Sequence, residues 1–367
     1  MHRHFQRGWH GGLGLGSGTL LAAGMSAVLA AASVNEFRDP LTTPSATMHG
    51  ALRPERETLI GIAQANGHAI AVGLRGLVVH SEDGSLWRQA RVPLQADLVA
   101  VHMLDERRAW ASGHDATILF SDDGGATWQK QFDRHDARQL FPSYYARRVA
   151  AGNAEMRRFQ EQADLNTAGA VSLPFLGVLF DDANTGFAVG SFGMIMASKD
   201  GGRTWMPWLD RIDNDGFLNL NSIRKIHGQV YITGEQGMVY RLDRRQNRFM
   251  RFSTGYHGTF FDIVGNARCL IAFGLRGTAY RSIDQGASWQ AIDTGTERTI
   301  AAGAVVDEGR RILLFPETGQ VIQSRDDGAS FEAVPRQPAL QVYGASSMGS
   351  GAYLIVGRDG VQAHAAQ

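Results

Sequence analysis

The chain has 367 residues, of which 44% are hydrophobic and 20% are charged, and its formal net charge at pH 7 is zero. This composition excludes an intrinsically disordered chain and is enough for one large or two medium-sized domains. The neutral charge balance gives no sign of a polyanionic partner, so we predict no nucleic-acid binding. The single cysteine, Cys269, lies in an apolar run and has no disulfide partner, so we expect a buried core thiol.

Residues 1–32 are typical of an export signal. Arg3 and Arg7 precede a stretch of small and apolar residues from 13 to 32, and the stretch closes with the small-residue sequence VLAAAS. We therefore expect a cleaved signal peptide and a periplasmic protein, with an uncleaved membrane anchor as the alternative. Residues 33–57 are rich in Pro, Thr and charge, which is typical of a linker.

A nine-residue pattern occurs seven times and indicates a repeat architecture. It consists of an apolar run, Gly, two variable residues, usually a second Gly, and another apolar run, as in AVGLRGLVV and AFGLRGTAY. The copies start at 71, 111, 188, 232, 272, 314 and 355, so the interval from 111 to 188 carries about 36 extra residues. Each copy is typical of two short strands joined by a tight hairpin with a two-residue loop.

A second pattern, SxDGGxTW, follows most of these hairpins. Its copies are SEDGSLW (81–87), SDDGGATW (121–128), SKDGGRTW (198–205), SIDQGASW (282–289) and SRDDGASF (324–331), with a degraded copy at 241–249. In this pattern Asp and Ser can bond the N–H groups of their own turn, Gly supplies positive φ, and the aromatic residue packs back as an apolar plug. We expect structural roles for Asp83, Trp87, Asp123, Trp128, Asp200, Trp205, Asp284, Trp289, Asp326 and Phe331.

The two patterns together predict four strands per unit of about 40 residues, which is a propeller blade. The predicted fold class is all-β, a seven-bladed β-propeller over residues 58–367. Because the chain ends soon after the third strand of blade seven, we predict that a strand from residues 45–52 closes the ring.

The AVGxxGxIxxSxDGGxTW run resembles the Asp-box, or BNR-type, propellers, and most closely the photosystem II stability and assembly factor family with its non-photosynthetic bacterial relatives. The resemblance covers roughly residues 58–367. It implies a non-enzymatic binding factor that acts on membrane-protein complexes in the lumen or periplasm, with surface arginines implicated in docking. Arg75, Arg276 and Arg358 lie in the matching hairpins. The extra segment departs from the photosynthetic members, so a photosystem role is not transferred.

The seven hairpins are expected to form a ring on the top face, where propellers also place the connections between blades. Recognition commonly depends on loops held by a rigid scaffold, and Arg and aromatic residues are enriched in interface cores. We predict one binding residue per hairpin: Arg75, His114, Phe192, Gln236, Arg276, Thr318 and Arg358. Solvated turns without a binding role are the alternative.

The extra residues predict a helical insertion at 134–170, between blades two and three on the top face. Five apolar residues are spaced for one side of a helix: Tyr145, Val149, Met156, Phe159 and Ala163. We predict that this helix begins at Pro142 and Ser143 and that Gly152 and Asn153 divide it. Its binding candidates are Tyr144, Arg147, Arg148, Arg157 and Arg158. Two interpretations stay open, packing on the propeller itself or docking of a partner or anionic headgroup.

No catalytic set, cofactor or metal site is predicted. A sialidase-like propeller commonly carries an R-I-P motif, which this sequence lacks, and the scattered histidines lack ligand spacing. Carboxylates of the hairpins alternate with arginines, which favours ion pairs over an acid of raised pKa. We predict a non-enzymatic periplasmic assembly or accessory factor, monomeric on its own, for an inner-membrane protein complex such as an export transporter. A glycan-binding or glycoside-hydrolase-type propeller and a purely structural envelope module are the alternatives.

Overall fold

The computed structural model describes residues 38–49, 53–169, 172–335, 341–349 and 351–365. The described strands form seven antiparallel sheets, each built from consecutive strands, as predicted for a seven-bladed propeller. Within a blade, the sheet order follows the chain order from the first strand to the last. Strands within a blade are therefore joined by hairpins, and one connection leads from the last strand of each blade to the first strand of the next.

Six sheets have four strands. Blade one contains β1 (Leu59–Ala65), β2 (His68–Gly73), β3 (Val78–Ser81) and β4 (Arg88–Gln89). Blade two contains β5 (Leu98–Met103), β6 (Ala109–Gly113), β7 (Ile118–Ser121) and β8 (Gln129–Phe132). Blade three contains β9 (Phe175–Phe180), β10 (Gly186–Gly190), β11 (Ile195–Ser198) and β12 (Met206–Pro207).

The remaining blades continue this order. Blade four contains β13 (Leu220–Ile226), β14 (Gln229–Gly234), β15 (Met238–Asp243) and β16 (Arg248–Ser253). Blade five contains β17 (Phe260–Gly265), β18 (Leu270–Gly274), β19 (Ala279–Ser282) and β20 (Gln290–Ile292). Blade six contains β21 (Ile300–Val306), β22 (Arg311–Pro316), β23 (Ile322–Ser324) and β24 (Glu332–Ala333), and blade seven contains β25 (Val342–Ser347), β26 (Ala352–Gly357) and β27 (Gly360–Ala365).

The first strands of all seven blades surround a central channel. Its lining includes Gly61, Ala100, Gly177, Arg224, Asp262, Ala302 and Gly344, one residue from each first strand. The second strands are buried almost throughout, and apolar clusters lie between neighbouring blades; Leu59 of blade one and Val356 of blade seven share one of them. This packing between blades holds the ring together, because no described strand pairs with a strand of another blade.

The predicted closing strand is wrong for the residues that the structure describes. Residues 45–49 form no strand, because Ser45 donates its N–H to the carbonyl of Val92 and Met48 donates to Oε1 of Gln89. This segment therefore follows the outer edge of blade one, and residues 50–52 lie outside the described residues. A short 3-10 turn, Pro54–Arg56, contacts β27 of blade seven.

The insertion consists of two helices, α1 (Arg134–Ala150) and α2 (Arg157–Thr167), separated by a 3-10 turn (Ala154–Met156). The predicted break at Gly152 and Asn153 is confirmed, since both residues lie between the helices. The predicted start at Pro142 is wrong: α1 begins eight residues earlier and contains the proline. Asp133 caps the first turn and forms a capping box with Asp136, a stronger start signal than proline.

Candidate functional site

Each clear Asp-box turn satisfies its own polar groups. In blade two, Asp123 accepts hydrogen bonds from the N–H of Thr127 (2.9 Å), the hydroxyl of Thr127 (2.6 Å) and the hydroxyl of Ser121 (2.9 Å). The Ser121 hydroxyl in turn accepts the N–H of Gly125 at 2.9 Å. The same bonds recur around Asp200, Asp284 and Asp326, and in a shorter form around Asp83.

These hydrogen bonds stabilise the ionised carboxylates. Bonds from the hydroxyl and N–H of Ser288 hold the pKa of Asp284 at about 2, and the hydroxyl of Ser330 contributes most to the same value at Asp326. Bonds from the N–H groups of Leu86 and Ser85 lower the pKa of Asp83 still further. A carboxylic acid needs a raised pKa to donate a proton near neutral pH, so these aspartates are not general acids.

The aromatic residues of the turns are the predicted apolar plugs. Trp128 is 4% exposed and donates its indole N–H to the carbonyl of Gly125 at 2.9 Å. Trp289 makes the equivalent bond to Gly286 at 3.0 Å. Trp205 is also buried, whereas Trp87 and Phe331 are half-buried. The Asp-box motif therefore builds the outer corner of a blade, and its Asp and Ser side chains are bonded within that corner.

The top-face ring is the set of seven hairpins that join the second and third strands. Six of them donate a backbone N–H to the residue just before the first strand of their own blade, at 2.8 to 3.3 Å. The donors are His114, Ser191, Glu235, Leu275, Glu317 and Arg358. The hairpins and the connections that enter the blades therefore lie on one face.

Six ring residues have a left-handed backbone although they are not glycine: Arg75, Asp115, Ala116, Phe192, Gln236 and Arg276, with φ between 53° and 56°. In blades one, three and five the turn consists of the two variable residues and the following glycine, so these loops have three residues and not the predicted two. In blade seven only Arg358 and Asp359 separate β26 from β27, so the predicted two-residue loop is confirmed there. A left-handed conformation costs an ordinary L-residue about 1 kcal/mol or more. Bulky side chains are thus retained where Gly or Asn would be less strained.

The predicted ring residues are all exposed: Arg75, His114, Phe192, Gln236, Arg276, Thr318 and Arg358. The ring also exposes two leucines that the predicted binding residues did not include, Leu74 at 44% and Leu275 at 37%. The predicted residue Phe192 is 45% exposed. Each leucine precedes the arginine of an LRG turn, and this repeated tripeptide was the available signal. The ring therefore combines cationic and apolar side chains, as interface cores do.

The carboxylates of the ring on blades two and four are engaged by neighbours. Asp115 lies 3.4 Å from Nη1 of Arg134, the first residue of α1. Glu235 accepts hydrogen bonds from the N–H and the side-chain amide of Asn219 at 2.9 and 3.0 Å. These contacts agree with the predicted pairing of ring carboxylates rather than with a catalytic acid.

Helix α1 is fixed to blade three by a buried polar cluster. Arg148 binds Asp210 at 2.6 Å, and the hydroxyl of Tyr145 donates to the same carboxylate at 3.0 Å. Asp210 is 6% exposed, and burial together with this neighbouring charge raises the pKa of Tyr145. Tyr144 is half-buried and lies against the Arg148 guanidinium, which is 5.6 Å from the ring centroid. Tyr144 and Arg148 therefore hold the insertion in place.

Helix α2 lies against the hairpin and the following connection of blade three. Phe159 packs edge-on against Phe217, and Arg158 lies over the Phe159 ring and binds Asp215 at 2.7 Å. Asn166 donates its side-chain amide to the carbonyl of Phe192 at 3.2 Å. The predicted apolar stripe is confirmed as the packing side: four of its residues are buried and Val149 is half-buried against the same cluster.

Arg147 and Arg157 differ from the other two predicted arginines of the insertion. Both side chains are exposed, and neither makes a hydrogen bond or ion pair within the described ranges. The prediction also missed the N-terminal segment: Asp39 pairs with Arg134 at 3.3 Å and with His135 at 3.2 Å. Pairing with a distant segment leaves no local sequence signal, so Asp39 could not have been found from the motifs.

The described side chains offer no metal site, and the described helices offer no membrane span. Across the described ranges, the structure holds no group of three or more His, Cys, Asp or Glu side chains able to bind a metal ion. Among these residues, no helix has the length and apolar character needed to cross a bilayer. The expected signal or anchor at residues 1–32 lies outside the described part of the chain.

The blade corners and the ring of seven sheets define an Asp-box β-propeller. The chain belongs to the photosynthesis system II assembly factor YCF48 family, whose model matches residues 153–356, and a BNR/Asp-box repeat model matches residues 119–130. No curated protein matches the sequence. Membership in an assembly-factor family makes a binding function the starting point for this chain.

Solved structures share the fold at low sequence identity. "YCF48 bound to D1 peptide" is 13% identical with a TM-score of 0.62, covering 89% of this chain and 99% of that one. YCF48 from Cyanidioschyzon merolae is 18% identical with a TM-score of 0.59, covering 85% and 96%. A streptogramin B lyase is 10% identical with a TM-score of 0.63, covering 84% and 93%. At these identities the likeness establishes the propeller fold alone.

Proposed function

We propose that this protein is a non-enzymatic assembly or accessory factor that binds a membrane protein complex through its top-face ring. The observation that carries the proposal is the ring itself, where exposed Arg75, Phe192 and Arg276 are retained on left-handed backbone. Strain of this kind persists where the side chain is needed, and Arg and aromatic residues dominate binding hot spots. A non-enzymatic role is supported by the engaged carboxylates of the ring and corners.

The nature of the partner is proposed from the family and from the N-terminus. A YCF48 structure of the same fold is described as bound to a D1 peptide, so a propeller of this kind can bind a polypeptide segment. The signal-like pattern of residues 1–32 supports export, which would bring the ring to the periplasmic side of an inner membrane. The proposed partner is therefore an inner-membrane complex with an exposed polypeptide segment, an export transporter being one candidate.

Site-specific photo-crosslinking tests this proposal. A benzophenone amino acid is placed at Phe192 or Leu275 of the ring and, as matched controls, at Leu86 or Ile283 of the Asp-box turns, which are 62% and 66% exposed. Intact cells are irradiated and membranes are solubilised, and adducts are identified by mass spectrometry. We expect the ring positions to crosslink one membrane complex and the corner positions not to do so.

Two outcomes overturn the proposal. One is equal crosslinking of the same proteins from ring and corner positions, which would mean nonspecific contact. The other is an absence of membrane-protein adducts from both ring positions while all four proteins are folded and exported. In that case chromogenic glycosides are used to test the alternative of a glycoside-hydrolase-type propeller. Hydrolysis of a glycoside would also contradict the non-enzymatic role.

A further inference from the structure

A cleft separates α1 from the Asp-box corner of blade three. It has a volume of about 380 Å³ and lies outside the top-face ring. One side of α1 lines it through Asp136, Ser143 and Arg147, and blade three contributes Arg203 and Trp205. Gln131 of β8 also lines the cleft.

Two buried polar atoms at the cleft lack partners among the described residues. Trp205 is 5% exposed, and its indole N–H donates to nothing, whereas Trp128 and Trp289 donate to glycine carbonyls of their own corners. Gln131 donates its amide N–H to the carbonyl of Gly201 at 3.0 Å, but its Oε1 accepts nothing. Buried polar groups are nearly always paired, so a bound group that supplies one acceptor and one donor would satisfy both side chains.

Two guanidinium groups of the cleft are also unpaired within the part of the chain that the structure describes. The side chains of Arg147 and Arg203 are exposed and make no hydrogen bond or ion pair of contact distance there, and the only carboxylate that acts on the Arg203 charge is Asp200 of the same turn, which is already bonded to Thr204. Their neighbours Arg148 and Arg158 are both paired with aspartates, so a free arginine is not the rule in this region. Asp136, the acidic residue of the cleft, already accepts the N–H of Asp133 at 3.1 Å. The charge at the Arg147 end is therefore positive.

We propose that this cleft binds an extended peptide segment of a partner protein, with an acidic side chain between Arg147 and Arg203. Arginine binds carboxylates by paired, charge-assisted hydrogen bonds. The eleven-residue separation of Asp136 and Arg147 along α1 corresponds to about 16 Å at 1.5 Å per residue, the length of about five extended residues. A peptide fits this elongated shape better than a single ion does, and its backbone supplies an acceptor for Trp205 and a donor for Gln131.

The inference rests on the proposed function only in that a docking partner supplies the acidic segment. It assigns a second contact surface, on the outer flank of blade three. Asp136 at the opposite end disfavours a further acidic residue there, so the bound segment is acidic at one end and neutral or basic at the other. This polarity would fix the direction in which the partner segment lies along α1.

A peptide titration of the purified full-length protein tests the cleft directly. The probe is an acetylated, amidated hexapeptide of Gly and Ser with two adjacent glutamates, and its counterpart has glutamines instead. Binding is followed by the Trp205 indole N–H signal in two-dimensional NMR, assigned by its loss in Trp205→Phe. If that variant is unfolded, the signal is assigned by its proximity to the Phe180 ring, whose centroid is 5.9 Å from that of Trp205.

We expect a saturable shift of the Trp205 signal with the glutamate peptide and a much weaker response to the glutamine peptide. Arg147→Gln and Arg203→Gln should each raise the Kd about fivefold to tenfold, since each removes a charged hydrogen-bonding partner at an exposed site. Arg157→Gln is the matched control, because it removes the same charge from an exposed arginine that does not line the cleft, and its Kd should be unchanged.

Three results would overturn the inference: no shift up to millimolar peptide, equal shifts with both peptides, or equal weakening by Arg157→Gln. The first means that the unpaired atoms are bridged by water, and the others mean nonspecific attraction. Because the titration uses purified protein without a membrane complex, its failure is separable from failure of ring crosslinking. The two experiments can therefore distinguish a ring that crosslinks a partner while the cleft binds no peptide from a cleft that binds peptide while the ring crosslinks no partner.

Discussion

The Asp-box corners and the top-face ring are built from the same repeat but treat their polar groups in opposite ways. At the corner of blade two, Asp123, Ser121 and Thr127 bond one another and the backbone of their own turn. In the ring, the side chains of Arg75 and Arg276 are exposed and have no partner within the described residues. Groups that are satisfied locally stabilise a fold, whereas unsatisfied exposed groups are available to a partner.

The two regions also differ in backbone strain. In the clearest corners the left-handed positions are mostly glycines, such as Gly124 and Gly125, which adopt positive φ at little cost. In the ring the same region of φ is occupied by Arg75, Phe192 and Arg276. The corner turns therefore adopt positive φ at little cost in stability, whereas the non-glycine residues of the ring lower the stability of the fold slightly. Substitutions in the two regions should therefore change different quantities.

The largest expected effect is at the corner. Trp128→Ala removes a buried indole and its bond to Gly125, so we expect the free energy of unfolding to fall by about 3 kcal/mol. The measurement is urea unfolding followed by circular dichroism. Ring crosslinking of the folded fraction should not change. A loss of crosslinking at full stability would contradict the separation of corner and ring.

Most of the fold could be predicted from the sequence because each blade repeats a local signal. The hairpin and Asp-box patterns need only neighbours within one turn, and Asp284 and Ser288 illustrate this dependence on near residues. The path of residues 45–49 could not be predicted, since it depends on Gln89 and Val92, which are distant in the chain and belong to no motif.

The candidate site was predictable in part for the same reason. Ring residues such as Arg75 and Arg276 follow from their place in the repeat, and the structure exposes them. The insertion has no repeat to compare with, so its cationic residues could not be sorted from the sequence. Only the fold shows that Arg148 is held by Asp210 whereas Arg147 borders an open cleft.

A smaller effect is expected where the insertion joins blade three. Arg148→Gln breaks a largely buried ion pair, in which Arg148 is 29% and Asp210 is 6% exposed, so we expect a local loss of about 1 to 2 kcal/mol. Hydrogen exchange should become faster in α1 and α2 and remain unchanged in blade six. Arg147→Gln is the matched control, and an equal response to both changes would show that Arg148 does not anchor the helix.

Acid should weaken the corners before it affects the ring. The folded-state pKa of Asp284, about 2, lies below its ordinary value near 4, so its contribution to stability is present above pH 4 and is lost as the pH falls towards 2. Asp284→Asn should therefore lose less stability between pH 4 and pH 2 than the unmodified protein does. Acid unfolding curves provide the measurement, with Glu297→Gln as a control that changes charge at an exposed site. Parallel curves for all three proteins would refute this role of Asp284.

The smallest expected change in stability has the opposite sign and lies in the ring. Asn adopts the left-handed conformation of Arg276 (φ 54°) at lower cost, so Arg276→Asn should raise the free energy of unfolding by about 0.5 kcal/mol. The same change removes an exposed cation from the ring, so photo-crosslinking from Leu275 to the membrane complex should decrease. Arg298→Asn is a suitable control, since Arg298 is exposed and its φ is not positive. Lower stability for Arg276→Asn would show that the arginine supports the turn and is not retained for binding.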